Sequence, residues 1–288
     1  MQLSKKVGFR LRFKKGTINL TIALLSSSAL IVCLFSGVLL SFHYFYHHPL
    51  ISVLQIETFV PFGSYLRKLH YFSAQVALIF LALHLIDALL KRLYLLKRPF
   101  PWFFLIFSLP LLLFLTFTGY LLRGDEVGEL AGSIAENLLQ STPVVGSFLN
   151  NLFFATTQTG LIKVYHWHLI GSFFLAGGLL IWHIKARALF RWENLFYFLW
   201  LLLPVLIVNF PLNPFQGLKA RGPWFFVGAQ QMLKIFDPFL VFFFLLIPLP
   251  LLQGYVYFPK RACLLSTILS IYVMIYVLFS FSFFISPF

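Results

Sequence analysis

The chain has 288 residues, 60% hydrophobic and 10% charged, well above the roughly one-half apolar share of a soluble domain. An ordinary soluble fold is excluded, and an integral membrane protein in contact with lipid is expected. The net charge of +14 at pH 7 does not point to nucleic acid, because lysine and arginine collect in particular connections, as membrane topology requires. Cys33 and Cys263 stand in separate apolar segments. No disulfide framework and no C-x-x-C-H motif can be written, and both read as small buried hydrophobes.

Lys5, Lys6, Arg10, Arg12, Lys14 and Lys15 make the N-terminus basic. The apolar run that follows is too long for a signal-peptide core, so a membrane helix rather than a cleaved signal is expected. Seven apolar segments are predicted to span, near the ~20 residues that a bilayer requires: Ile18–Phe42, Tyr71–Leu90, Pro101–Leu122, Leu161–Ile184, Leu195–Val208, Phe239–Val256 and Cys263–Phe283. The fifth is short and interrupted by Pro204, which a membrane bundle tolerates when neighbours satisfy the freed carbonyl.

With seven spans the basic clusters fall on one side: the N-terminus, Lys91 to Arg98, Lys185 to Arg191, and Lys260 with Arg261. Most acids, Glu57, Asp125, Glu126, Glu129, Glu136 and Asp237, fall on the other. The N-terminus is therefore expected in the cytoplasm and the C-terminus outside. Between the third and fourth spans, Val127, Leu130, Ile134, Leu138 and Leu139 recur at helical spacing. They predict amphipathic helices on the outer surface, broken near Pro143 and Gly146.

Four histidines stand inside or at the ends of these spans, as His70 with His84 and His168 with His183. An intramembrane imidazole is costly and usually functional. Separations of 14 and 15 residues correspond to a rise of about 21 to 22 Å and nearly whole numbers of turns. If the second and fourth spans face each other, His70 meets His168 near the outer surface and His84 meets His183 near the cytoplasm. Two haems with paired imidazole ligands are the expected consequence. His166 lies 17 residues before His183 and turns off that face. His43, His47 and His48 read as interfacial. Small residues, including Gly37 and Gly119, are expected to leave room for a flat macrocycle, and Arg67 and Lys163 to face its propionates.

These residues resemble the cytochrome b family, the membrane core of quinol:cytochrome c and plastoquinol:plastocyanin oxidoreductases. The stretch 63–84, with Arg67, His70, Ser73, Ala74 and His84, is similar to the family's second helix. Thr118, Gly119, Tyr120, Asp125, Thr142, Pro143, Gly146 and Ser147 match the third helix and the surface helices after it. Lys163, Tyr165 and His168 stand where the family has an arginine, an aromatic and a ligand. The 15-residue gap to His183 resembles the chloroplast and cyanobacterial branch. Asn213, Pro214 and Phe215, followed by Gly222, Pro223, Trp224, Phe225 and Phe226, resemble the outer quinol-site loop.

The resemblance implies an all-α membrane protein: a diheme four-helix domain over residues 1–190 and a three-helix quinone-site domain over 191–288. It implies two haem b, a quinol or quinone substrate, and electron transfer between two quinone sites. Implied partners are a Rieske iron-sulfur protein and a c-type cytochrome or other redox subunit, in a homodimeric complex of a bacterial cytoplasmic membrane. Quinone-site candidates are Pro223, Trp224, Phe225, Asp87 and Glu193. The sequence departs from the family where Pro223 replaces a glutamate and Phe225 a tyrosine, and where Arg123-Gly124 replaces Pro-Trp. Asp87 also stands where an arginine is expected. Thr21 replaces a cysteine, so a covalent third haem is not implied. A non-bifurcating diheme quinol dehydrogenase or quinone reductase module stays open as an alternative, as does a polytopic transporter or membrane anchor.

Overall fold

The computed structural model describes residues 19–184, 192–208 and 222–285. All regular elements among them are helical. The longer ones, in chain order, are α1 (Leu20–Ser41), α2 (Pro49–Thr58), α3 (Gly63–Leu90), α4 (Pro99–Leu121), α5 (Glu126–Gln140) and α6 (Gly146–Phe153). α7 is composite, running as Ile162–Ile170, a π-helical stretch Gly171–Gly177 and Gly178–Ile184. Then come α8 (Trp192–Leu202), α9 (Val227–Met232), α10 (Pro238–Leu246 continued by Pro248–Tyr257) and α11 (Ala262–Ile285).

Six of these, α1, α3, α4, α7, α10 and α11, are long and apolar enough to cross a membrane. Over the predicted span Leu195–Val208 the helix is shorter than expected. The α-helix ends at Leu202 and a 3-10 turn, Pro204–Leu206, follows it. Proline lacks an N–H and clashes with the preceding turn, and an 11-residue helix is only about 16 Å long.

Local chemistry fixes several helix starts. Asn19 accepts from the Thr21 amide, Asp125 from that of Gly128, and Asp237 from that of Phe239, each as an N-cap. Pro99 and Pro238 occupy first-turn positions, where a missing N–H costs nothing.

α1 lies along α3 as the most extensive helix pair, and α4 packs on α7. Ala29, Ala77, Leu78, Leu112 and Leu201 join α1, α3, α4 and α8 in one buried cluster. At one end Tyr94, Trp102 and Tyr255 form a second cluster, with the Trp102 indole donating to the Leu252 carbonyl at 2.9 Å. At the opposite end α5 covers the bundle, burying Ala131, Ala135 and Leu139 against Leu121 and Val164. Leu130, assigned to the apolar stripe from the sequence, is exposed. Cys263 is also exposed, on α11, and is not the buried hydrophobe expected.

Charge follows the two ends. Lys91 and Arg92 close α3 beside the start of α1, where the Asn19 amide donates to Asp87 at 2.9 Å. Lys260 and Arg261 join α10 to α11 at that same end, since Gln253 donates to the Pro99 carbonyl there. Glu57, Asp125 and Glu136 lie at the other end, on α2 and at or within α5.

Candidate functional site

Two histidine pairs face each other across the bundle. His70 of α3 and His168 of α7 have ring centroids 6.1 Å apart with planes at 74°. His84 and His183, on the same two helices, repeat this at 6.1 Å and 75°. A metal bonds an imidazole nitrogen at about 2 Å, so two imidazoles on opposite sides of one ion have centroids about 6 Å apart. The predicted pairings are the ones observed. His166 is exposed and sits beside Tyr46 and Tyr165.

The unequal spacing is reconciled by the π-helical stretch. On an ideal helix 14 residues fall about 40° short of four turns and 15 overshoot by about 60°. A turn closed by i→i+5 bonds absorbs one extra residue. Gly171–Gly177 provides it, so His168 and His183 share the face that His70 and His84 share. Sequence periodicity carried no sign of this element. Gly171 also lets α7 approach α4, since a Cβ there would lie 2.6 Å from Leu115 Cδ2.

At the first pair the unused ring nitrogens are anchored. His70 Nδ1 lies 2.9 Å from the Cys33 carbonyl oxygen, and His168 Nδ1 lies 3.1 Å from that of Leu115 and 3.0 Å from Thr118 Oγ1. An Nδ1–H donating to a carbonyl holds the ring in the tautomer whose Nε2 lone pair is free for a metal. Gly37 of α1 and Gly119 of α4 press against these rings. A Cβ at Gly37 would fall 2.8 Å from His70 Cε1, and one at Gly119 would fall 3.0 Å from His168 Cε1. The expected role of these glycines is thereby made specific: they admit the imidazoles themselves.

Between His70 and His168 is a cavity of about 190 Å³. Its walls are mostly apolar, and its lining includes Arg67, Arg123, Tyr44, Tyr71 and Tyr120 with no carboxylate among the described residues. A second cavity of about 390 Å³ touches His84 and His183 and includes Ser27, Lys97 and Leu105. His84 Nδ1 is buried without a hydrogen-bond partner among the described residues. Both cavities offer an imidazole pair to a flat group whose metal takes two axial nitrogens, and the residues present fit haem.

The predicted propionate cations separate. Arg67 lines the first cavity and is ion-paired with Glu57. Lys163 is corrected: its Nζ donates to the Asn151 carbonyl at 2.6 Å, and it is not part of the cavity lining. Arg123 is the cation that the sequence did not reveal, since there it stands only as a departure from Pro-Trp.

Pro223 and Phe225 line the first cavity, and the Trp224 indole donates to Gln75 Oε1 at 2.7 Å. The Phe225 carbonyl accepts from the Tyr276 hydroxyl at 2.5 Å. Asp87 is held by Lys91 and by the Asn19 amide. The Glu193 side chain and the 213–215 stretch lie outside the described residues.

Among the described residues, six helices long and apolar enough to cross a membrane carry two facing histidine pairs stacked along one bundle, the architecture of a polytopic membrane protein. The family model described as cytochrome b (N-terminal)/b6/petB matches residues 75–194. Those residues include His84, His168 and His183, and begin just after His70. Over this stretch the chain is similar to the cytochrome b family.

A cytochrome b6 of Heliomicrobium gestii is 31% identical over 46% of this chain and 64% of that protein. The menaquinol:cytochrome c reductase cytochrome b subunit of Bacillus subtilis (strain 168) is 27% identical over 35% of this chain and 45% of its own length. The matched region thus spans less than two thirds of these relatives. A solved chain of a hyperthermophilic respiratory Complex III shares the fold with a TM-score of 0.65 and 17% identity, covering 95% of this chain and 91% of that one.

Proposed function

We propose that the chain is the cytochrome b-type subunit of a membrane quinol oxidoreductase and carries electrons across the membrane between an outer quinol site and an inner quinone site. The observation that carries this is the repetition of one histidine geometry, 6.1 Å and about 75°, at two depths of a single bundle. His70 with His168 and His84 with His183 would each hold one haem b, which supplies reversible one-electron chemistry when bound. Cys33, Leu115 and Thr118 fix the first imidazoles by hydrogen bonding, while Gly37 and Gly119 set how closely α1 and α4 approach. The apolar walls keep water from the metal positions and lower the local dielectric.

The end bearing Lys91, Arg92, Lys260 and Arg261 is assigned to the cytoplasm by the positive-inside rule, which puts His70 and His168 toward the outside. The chain then enters α8 from the cytoplasmic end after Ile184 and reaches Pro223 beside the outer cavity. That return supports a seventh crossing, built from α8 and the residues that follow. Pro223, Trp224 and Phe225 would border the outer quinol site. Asp87, engaged by Lys91, and Glu193 remain candidates for the inner one. A Rieske protein and a c-type cytochrome, or another redox subunit, are the partners this role requires. A homodimeric complex in a bacterial cytoplasmic membrane is carried over from the family resemblance.

A second reading has its own support. Quinol oxidation needs a proton acceptor, yet Pro223, Trp224 and Phe225 contain no carboxylate and neither does the described lining of the outer cavity. A non-bifurcating quinol dehydrogenase or quinone reductase module that exchanges electrons with quinone at a site other than this outer cavity is the second reading consistent with that lining. Purified complex assayed for quinol:cytochrome c reduction with and without an outer-site inhibitor separates the two. Inhibitor-sensitive extra reduction of b haem is expected of a bifurcating complex, and its absence with turnover retained selects the other reading. Lack of any b-type spectrum would remove both and leave a transporter or anchor.

A further inference from the structure

We infer that Arg123 is a cofactor-anchoring residue particular to this chain, binding a propionate carboxylate of the haem held by His70 and His168. The inference rests on the haem reading above and adds a site at a position that the family resemblance marks only as a loss of Pro-Trp. Arg123 follows α4 and lines the outer cavity together with His70 and His168. Its guanidinium is ion-paired with Asp125 and lies 4.8 Å from the Tyr120 ring centroid. Its Nε is nevertheless buried and has no hydrogen-bond partner among the described residues.

A guanidinium carries five N–H donors in a rigid fork suited to carboxylates. Asp125 is itself held by the Gly128 amide at 3.1 Å, so the ion pair pins Arg123 in place and leaves the Nε–H direction unused. The cavity it borders has a second arginine, Arg67, and no carboxylate in its described lining. Both arginines and Tyr71 line that same cavity. Lys163, the cation expected on the α7 side, is turned onto α6. Two arginines at one rim match the two acid groups of a haem edge, with Arg123 taking the place expected of Lys163.

The test is redox titration of the purified holoprotein as wild type, Arg123→Gln and Arg123→Lys. Arg123→Gln is expected to keep both haems and shift the reduction equilibrium of the outer one about tenfold toward the oxidised form. That is about 59 mV for one electron. The inner haem should stay put, and Arg123→Lys should recover most of the shift. Unmoved potentials in Arg123→Gln, or equal movement of both haems, would overturn the inference. If Arg123→Gln does not accumulate, redox-induced infrared difference spectra of wild type and Arg123→Lys, loaded with haem carrying ¹³C in its propionate carboxyls, decide it. A displaced carboxylate band supports Arg123, and an unchanged band overturns its role. Fewer than two b haems in the wild type would instead defeat the haem reading itself.

Discussion

Gly37 and Gly119 carry the tightest constraint at the scale of single residues, because each stands where a methyl group would touch an imidazole carbon. Gly37→Ala must move the His70 ring or the α1 backbone, and overpacking of this kind costs about 1–3 kcal/mol. Both Gly37→Ala and Gly119→Ala are expected to perturb the optical band of the outer haem and leave the inner band alone. Unchanged low-temperature spectra would show that the rings have slack. Glu136 makes a separate prediction, away from the membrane. Burial pushes its carboxyl up, but hydrogen bonds from the Thr156 and Thr157 hydroxyls and the Thr157 amide outweigh this and hold it below the ordinary 4.5. Its stabilisation is therefore complete above that ordinary value and disappears as pH falls through the lower folded one. Glu136→Gln should destabilise by about 1–3 kcal/mol at neutral pH and flatten acid unfolding between those values, followed by thermal melts in detergent. A wild-type acid limb in Glu136→Gln would remove Glu136 from that role. The histidines were legible in the sequence because an imidazole inside an apolar run is costly to keep unless it binds something. Arg123 was not, because a cation at a helix end reads as interfacial until a cavity is seen beside it.

The π-helical stretch shows what periodicity can and cannot give at the scale of elements. A 3.6-residue repeat places His168 and His183 about 100° away from the relation between His70 and His84, yet the two pairs adopt nearly the same ring angle, 74° and 75°. Removing one residue, such as Gly178, should convert Gly171–Gly177 to ordinary helix and preserve both histidine pairs. Inserting one residue there should rotate His183 away and cost the inner haem while the outer survives. Retention of both haems by the insertion variant would mean that the stretch does not set the register. The surface helices α5 and α6 were foreseen from apolar spacing and from the breaks near Pro143 and Gly146. α2 was not, since Pro49–Thr58 is short and follows an interfacial histidine cluster. α8 was read too long because hydropathy ignores the turn that Pro204 imposes.

At the scale of the whole molecule, the basic clusters and most acids lie toward opposite ends, a pattern legible in the sequence once seven spans are placed. The order of helices makes it a topology: α1 begins at the basic end, and α11 runs from that end toward the acidic one. Reporter fusions are expected to find the N-terminus in the cytoplasm and the C-terminus outside, and the same side for both would contradict a seventh crossing. The central claim is that one bundle holds two stacked haems, and haem b per chain in the purified protein tests it most directly. The expected result is two in the wild type and one in either His84→Ala or His183→Ala, with the outer spectrum intact. A wild-type content of one or none, or two retained in both variants, would contradict it.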